Sequence, residues 1–146
     1  MPGAAPSRTR VILYWIATSL IAAEMVTGAT WDLVRTAYVR GLMAHLGYPE
    51  YMLTILGAWK ILGAIAVLAP GFPRLKEWAY AGMVFDLTGA AASHLACHDP
   101  SGKVVITLTL SLIAVVSWAL RPASRRLDAS ASLADVRSAH PHPSLS

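Results

Sequence analysis

A chain of 146 residues fits one domain, and its composition, with 55% hydrophobic and 14% charged residues, is too apolar for an ordinary soluble domain. The formal charge of +4 does not indicate nucleic-acid binding, because basic residues stand between and beyond apolar stretches instead of forming one basic face. A single cysteine, Cys97, excludes an internal disulfide. The composition therefore predicts an integral membrane protein in contact with lipid.

Four apolar segments follow one another along the chain, and each is long enough to cross most of a hydrocarbon core of about 30 Å as an α-helix. They cover residues 11–28, 51–69, 78–96 and 104–120. Pro70 and Pro73 separate the second segment from the third, and Arg121 with Pro122 ends the fourth. The sequence therefore predicts an all-α fold, a bundle of four transmembrane helices over residues 11–121.

The connection from Ala29 to Glu50 is longer than the other connections and has a helical pattern of its own. Its apolar side chains recur at helical spacing, at Trp31, Val34, Tyr38, Leu42 and Leu46. Asp32 and Arg40 lie elsewhere around such a helix. This pattern predicts a short amphipathic helix that lies on the membrane surface between transmembrane helices one and two.

Both ends of the chain are rich in Pro, Ala and Ser and poor in hydrophobic patterning. Residues 1–10 are predicted to be a flexible N-terminus, and residues 122–146 a disordered tail. Lys and Arg are more numerous at the helix ends on the side of the two termini, which places both termini in the cytoplasm. Arg8 and Arg10 before an apolar segment also fit a cleaved signal peptide, but that segment is long for one and carries Glu24.

Ionisable side chains are costly inside a membrane, and the predicted helices carry four of them. They are Glu24, Lys60, Asp86 and His94. Lys60 and Asp86 are predicted to lie at nearly the same depth and to form an ion pair between helices two and three. We take the four residues as the candidate polar site. Structural stabilisation, a ligand or cofactor site, and a proton or ion path all remain open for it.

Side chains with metal-ligating atoms also gather where the third apolar segment ends, at His94, Cys97, His98 and Asp99. Their spacing matches no standard zinc pattern, and a histidine at a membrane interface is usually only half-solvated. The chain contains no nucleophile elbow, phosphate-binding loop, dinucleotide fingerprint or HExxH motif. We therefore predict neither a metal ligand nor a catalytic residue.

Three phrases in the sequence resemble the DoxX-like family of membrane proteins. They are LGYPEY at 46–51, GFPRLKEWAY at 71–80 and FDLTGA at 85–90. The resemblance spans roughly residues 14–121 and implies a bacterial four-helix protein of the cytoplasmic (inner) membrane. The wider DoxX group takes its name from a subunit of a thiosulfate:quinone oxidoreductase, so the resemblance also implies a link with quinones.

These observations predict an accessory or ligand-binding component of the bacterial membrane, which binds a small apolar ligand such as a quinone or a membrane protein partner. One alternative is a subunit of a membrane quinone-linked oxidoreductase, although no redox cofactor signature is visible. Another is a small transporter, although the sequence has no visible inverted repeat. A quinone is the one cofactor that the resemblance suggests.

Overall fold

The computed structural model describes residues 7–122 and Arg125, and the longer elements of that part of the chain are all α-helices. In chain order they are α1 (Arg8–Val34), α2 (Ala37–Leu46), α3 (Tyr51–Leu68), α4 (Pro73–Ala96) and α5 (Ser101–Leu120). The prediction of an all-α chain is therefore confirmed. Most of the predicted flexible N-terminus and of the predicted disordered tail lies outside the described residues.

Helix α1 is longer at both ends than its apolar segment indicates. It begins at Arg8 behind Ser7, whose hydroxyl accepts a hydrogen bond from the Arg10 backbone N–H at 3.3 Å. It continues past Gly28 to Val34 and ends at Arg35, a residue in the left-handed conformation with φ of 55°. The predicted end at Gly28 is wrong because buried residues, among them Ala29 and Asp32, continue the packed face.

A short helix, α2, is present in the connection for which an amphipathic surface helix was predicted, with narrower bounds. The Thr36 hydroxyl accepts a hydrogen bond from the Val39 N–H at 3.5 Å, and Gly47, with φ of 78°, ends the helix. Trp31 and Asp32, which the sequence pattern assigned to this helix, belong to α1 instead. A left-handed residue therefore stands at the end of α1 and another at the end of α2.

The four long helices form a closed ring in which α1 contacts α3 and α5, and α4 contacts the same two helices. The central cluster of the buried core consists of Ile21, Met25, Ala64, Val67, Tyr80, Met83, Leu87 and Ala114. Polar bonds join three of the helices, because the Ser117 hydroxyl lies 2.7 Å from both the Thr18 and the Tyr80 hydroxyls. The ring leaves α2 at one end, beside the start of α3.

The opposite end of the ring is fixed by cations. The fully buried Lys76 ammonium donates to the carbonyls of Ala66 at 2.8 Å, of Val67 at 3.1 Å, and of Ala69. It thereby binds carbonyls that the end of α3 leaves without helical partners. Arg125 donates to the Val67 carbonyl at 3.1 Å and to the Tyr14 hydroxyl at 3.3 Å. Arg125, which lies in the predicted tail, therefore contacts the bundle.

Three of the described helices, α1, α3 and α5, are long and apolar enough to cross a membrane. Large apolar side chains stand exposed along their outer faces, including Ile16, Ile65 and Leu112. Such faces need an apolar surrounding, which a bilayer supplies. Helix α4 has 24 residues but carries more charge, so four spans go beyond what length and composition support.

Candidate functional site

Lys60 lies in a group of charged side chains between α1, α3 and α4. Its ammonium donates a hydrogen bond to Asp32 Oδ2 at 2.9 Å and lies 4.0 Å from Asp86 Oδ2. The Asp32 and Lys60 side chains are largely buried, and Asp86 is somewhat more exposed. The Lys60–Asp86 pair predicted from the sequence is therefore part of a cluster of three residues. Asp32 is the closer partner of Lys60 in it.

Glu24 adds a third carboxylate to this cluster, one turn of α1 before Gly28. A Cβ placed on Gly28 would lie 3.5 Å from Glu24 Oε1 and 3.5 Å from Lys60 Nζ, so this glycine leaves space where the two side chains approach each other. Glu24 Oε2 is buried and has no hydrogen-bond partner among the described residues. We call Glu24, Asp32, Lys60 and Asp86 the Lys60 cluster.

The Lys60 cluster lines a cavity of about 570 Å³ that is partly open to the surface. The inner side of α2 lines it too, through Tyr38, Val39, Leu42, Met43 and Leu46. Apolar residues of α1, α3, α4 and α5 form most of the remaining wall. Glu24, Lys60, Asp86 and His94, the four residues singled out from the sequence, all line this one cavity.

Asp32 is the residue of this site that the sequence analysis missed. It was assigned to the surface helix because the apolar run weakens at Gly28, whereas α1 continues for another six residues. One signal was present, since Glu24, Gly28 and Asp32 follow one another at intervals of four and share a helix face. A carboxylate on that face points to the same interior as Glu24.

The chemistry of the Lys60 cluster suits a ligand with both acceptor and donor atoms. The ammonium has three N–H groups, and Asp32 takes one of them in a direct hydrogen bond. Asp86 and Glu24 present carboxylate oxygens that can accept hydrogen bonds or protons. A carbonyl or hydroxyl group in the cavity would find partners of both kinds.

His94 lies at the end of the cavity nearest α2, in a second group of polar residues centred on Asp99. His94 Nδ1 donates to Asp99 Oδ2 at 2.7 Å, His45 Nε2 to Asp99 Oδ1 at 3.0 Å, and Lys103 Nζ to the same oxygen at 3.3 Å. Asp99 thus joins α2, α4 and α5 through one carboxylate. We call Asp99, His45, His94 and Lys103 the Asp99 cluster.

The sequence analysis grouped four residues with metal-ligating atoms at the end of α4, namely His94, Cys97, His98 and Asp99. Of these, His94 and Asp99 contact each other in the structure. The Cys97 thiol lies against the His45 carbonyl, 3.8 Å from its oxygen, and His98 adopts the left-handed conformation with φ of 55°. Among the described residues, no three His, Cys, Asp or Glu side chains converge in a way that would hold a metal ion. Asp99 therefore connects α4 to α2, because its carboxylate binds both His94 and His45.

Acid is expected to weaken the Asp99 cluster only far below neutral pH. The hydrogen bond from His94, together with those from Lys103 and His45, lowers the pKa of Asp99 from 3.8 to about 2. A carboxyl group with a lowered pKa stabilises the fold above its ordinary pKa, and loses this effect as the pH falls through the folded value. The Tm difference between the unsubstituted protein and Asp99→Asn should therefore shrink between pH 3.8 and about 2.

This expectation is checked by thermal unfolding of both proteins in a mild detergent across that pH range. A Tm difference that stays constant down to the lowest pH would mean that the ionised Asp99 carboxylate does not hold the cluster together. Glu50→Gln is a suitable control, because Glu50 is half-exposed and pairs only loosely, at 3.9 Å from Arg35.

Comparison with known proteins agrees with the membrane character of the bundle. No curated protein and no solved structure matches the chain. The DoxX-like family matches residues 16–117, which include the Lys60 cluster, α2 and all but the ends of the ring of long helices. This match covers well over half of the sequence and agrees with the resemblance seen in the three phrases. The chain therefore belongs to the DoxX-like family.

Proposed function

We propose that this protein binds a small, mostly apolar ligand with a polar head group, such as a quinone, inside the bundle. The observation that carries the proposal is the cavity of about 570 Å³ with the Lys60 cluster in its wall. Its volume lies in the range of about 300–1,000 Å³ that small-molecule sites occupy. A largely apolar wall with a few polar groups is also the usual composition of such sites.

The charges of the cluster support a binding role alongside a structural one. A buried ion pair alone would be satisfied by Lys60 and Asp32, which are in direct contact. Asp86 and Glu24 are additional carboxylates on the same cavity, and keeping them in a membrane is costly. Ionisable groups of this kind inside a membrane commonly belong to functional sites, and a ligand would give these oxygens their partners.

The proposal is tested by mass spectrometry of the lipids and quinones that stay bound to the protein purified in mild detergent. We expect one apolar species in near-stoichiometric amount with the unsubstituted protein, and strongly reduced retention with Asp86→Asn. Glu77→Gln is the matched control, because it also replaces a carboxylate by an amide but near the start of α4, outside the lining of the cavity, where Glu77 pairs with Arg121. Equal retention by all three proteins would contradict the proposal.

We further propose that α4 also spans the membrane, as the third of four transmembrane helices in chain order, in a multi-pass protein of the bacterial inner membrane with both termini in the cytoplasm. Its 24 residues correspond to about 36 Å of helix, and its neighbours α3 and α5 are both candidate spans. The buried Lys76, together with Arg121 and Arg125, belongs to the end of the bundle where α5 stops. A positive end of this kind is the cytoplasmic one in most membrane proteins.

This topology predicts that Cys97 faces the outer side of the membrane. A membrane-impermeant maleimide should label it in intact spheroplasts, because the α4–α5 turn would then lie outside. As a control, Cys97→Ser combined with Arg74→Cys puts an exposed thiol at the other end of α4, and labelling should require opened membranes. The reverse pattern would invert the topology.

A transport role is the second candidate, and the excess of carboxylates over cations in the Lys60 cluster favours it. Three carboxylates of the Lys60 cluster face one ammonium, and the same cavity extends to His94 and Lys103. Carboxylates and histidines in series are the groups that relay protons in membrane transporters. Proton flux into liposomes that disappears in Glu24→Gln would support transport.

A quinone-linked oxidoreductase subunit would use the same cavity for its ligand and needs a redox partner in addition.

A further inference from the structure

A second cavity, of about 400 Å³, lies between α3 and α4 beside the first. The two cavities share Leu56, Lys60 and Asp86, so the Lys60 cluster stands where they meet. The rest of the second cavity is lined almost entirely by apolar residues of α3 and α4. The two cavities therefore adjoin at these three residues. The first is lined by both polar and apolar side chains, and the second is lined mainly by apolar ones.

The rim of the second cavity faces the surroundings of the bundle. Trp59 is 69% exposed and Trp78 is 80% exposed, and Leu62 and Leu75 beside them are about half-exposed. In a membrane this face meets the hydrocarbon chains of lipid. The second cavity thus forms a gap between α3 and α4 that leads from the lipid-facing surface to Lys60 and Asp86.

Small residues keep this gap open. Gly82 lines the cavity from α4, and a Cβ built there meets no atom within 4 Å. Gly63 lines it from α3, and a Cβ there would meet only the flexible end of Met83, at 3.3 Å. A larger side chain at Gly82 would therefore enter open space without displacing the backbone.

We propose that the second cavity binds the apolar tail of the ligand whose polar head lies at the Lys60 cluster. The ligand is then an amphiphile with an unbranched or slender tail, which enters and leaves sideways through the α3–α4 gap. This inference rests on the proposed function. Lipid tails are as apolar as the cavity wall, so the tail gains little energy from entering the gap. The gap matters because it gives the tail room.

Two probes with the same head group test this inference, a benzoquinone with an n-decyl tail and the same benzoquinone with a methyl group instead. Each is titrated into the protein in mild detergent, and bound probe is counted by native mass spectrometry. We expect Gly82→Leu to weaken binding of the decyl probe about tenfold or more, because the leucine side chain would occupy the space that the tail needs. Binding of the methyl probe should change less than about twofold.

Gly89→Leu is the matched control. Gly89 lies two turns further along α4, is exposed like Gly82, lines neither cavity, and also has no atom within 4 Å of a built Cβ. It should leave the binding of both probes unchanged. If Gly82→Leu does not fold, Gly63→Leu fills the same gap from α3 and should give the same selective loss of the decyl probe.

The outcomes separate the two proposals. If both probes bind and Gly82→Leu weakens neither, the tail does not pass between α3 and α4 and this inference is wrong, while ligand binding in the main cavity stands. If neither probe binds to the unsubstituted protein, quinone binding and the tail site are both wrong. If Gly82→Leu and Gly89→Leu weaken binding of the decyl probe equally, the effect arises from the surface of α4 in general, and the inference is again wrong.

Discussion

Replacing Lys60 by methionine is expected to destabilise the protein by about 3 kcal/mol or more, because it leaves the three carboxylates of the Lys60 cluster without their cation. The Lys60 ammonium is the group that Asp32 contacts at 2.9 Å and Asp86 at 4.0 Å. Methionine has a similar length, so the loss of packing is small. The free energy of unfolding is measured by titration with sodium dodecyl sulfate in mixed micelles.

The two aspartates are expected to differ in the same assay. Asp32→Asn should cost about 1.5–3 kcal/mol, the usual worth of a hydrogen bond to a charged group. Asp86→Asn should cost less than about 1 kcal/mol, because Lys60 keeps Asp32 and an amide keeps the shape of the carboxylate. The order of effects therefore follows the order of the distances from the ammonium.

A double variant shows whether the charges are coupled. Lys60→Met combined with Asp32→Asn should recover at least about half of the loss caused by Lys60→Met alone, since one stranded charge is removed with its partner. Strictly additive effects would mean that Lys60 and Asp32 do not interact in the membrane. A stable double variant that no longer retains ligand would assign the cluster to binding as well as to folding.

Gly57→Leu is expected to have the second large effect, because α1 packs closely against α3 at this position. A Cβ at Gly57 would lie 2.7 Å from Leu33 Cγ and 3.2 Å from the Ala29 backbone carbonyl oxygen. The neighbours cannot clear a whole leucine side chain without separating the helices, which typically costs about 1–3 kcal/mol. Gly57→Ala should show a smaller loss in the same direction.

The control for this substitution is Gly89→Ala on α4, where the added Cβ meets open space. It should be neutral or stabilising by up to about 1 kcal/mol, because alanine favours a helix more than glycine does. Both variants are compared by Tm in the same detergent. If Gly57→Ala is as stable as Gly89→Ala, the Leu33 side chain lies further from position 57 than the distance of 2.7 Å between the built Cβ and Leu33 Cγ indicates.

Sequence alone predicted α1, α3 and α5 well because each carries a strong and continuous apolar signal. Its errors came at places where helical structure continues without that signal. Helix α1 continues from Gly28 to Val34 because Ala29 and Asp32 pack against other helices. That packing is a tertiary effect, and no local pattern of hydropathy reports it. The misplacement of Asp32 on the surface helix followed directly from this error.

The candidate site was predictable in its residue types but not in its pairing. A charged residue in an apolar run needs a partner, which pointed to Glu24, Lys60, Asp86 and His94. Depth along a helix ranks possible partners, but it does not tell which helix faces meet. Lys60 therefore has Asp32 as its closer partner, and His94 contacts Asp99 from the following turn. Neither contact follows from spacing within one helix.

Lys76 has a consequence for how this chain assembles during synthesis. The carbonyls of Ala66, Val67 and Ala69 receive their donor from a residue that emerges from the ribosome only after the whole of α3. Until then the end of α3 presents unpaired carbonyls, which are costly wherever water is scarce. The segment from Tyr51 through Lys76 is consequently the shortest piece that contains both α3 and the lysine that binds its last carbonyls. We therefore expect α3 and the start of α4 to assemble as one unit, with a turn between them that has little freedom to change in length.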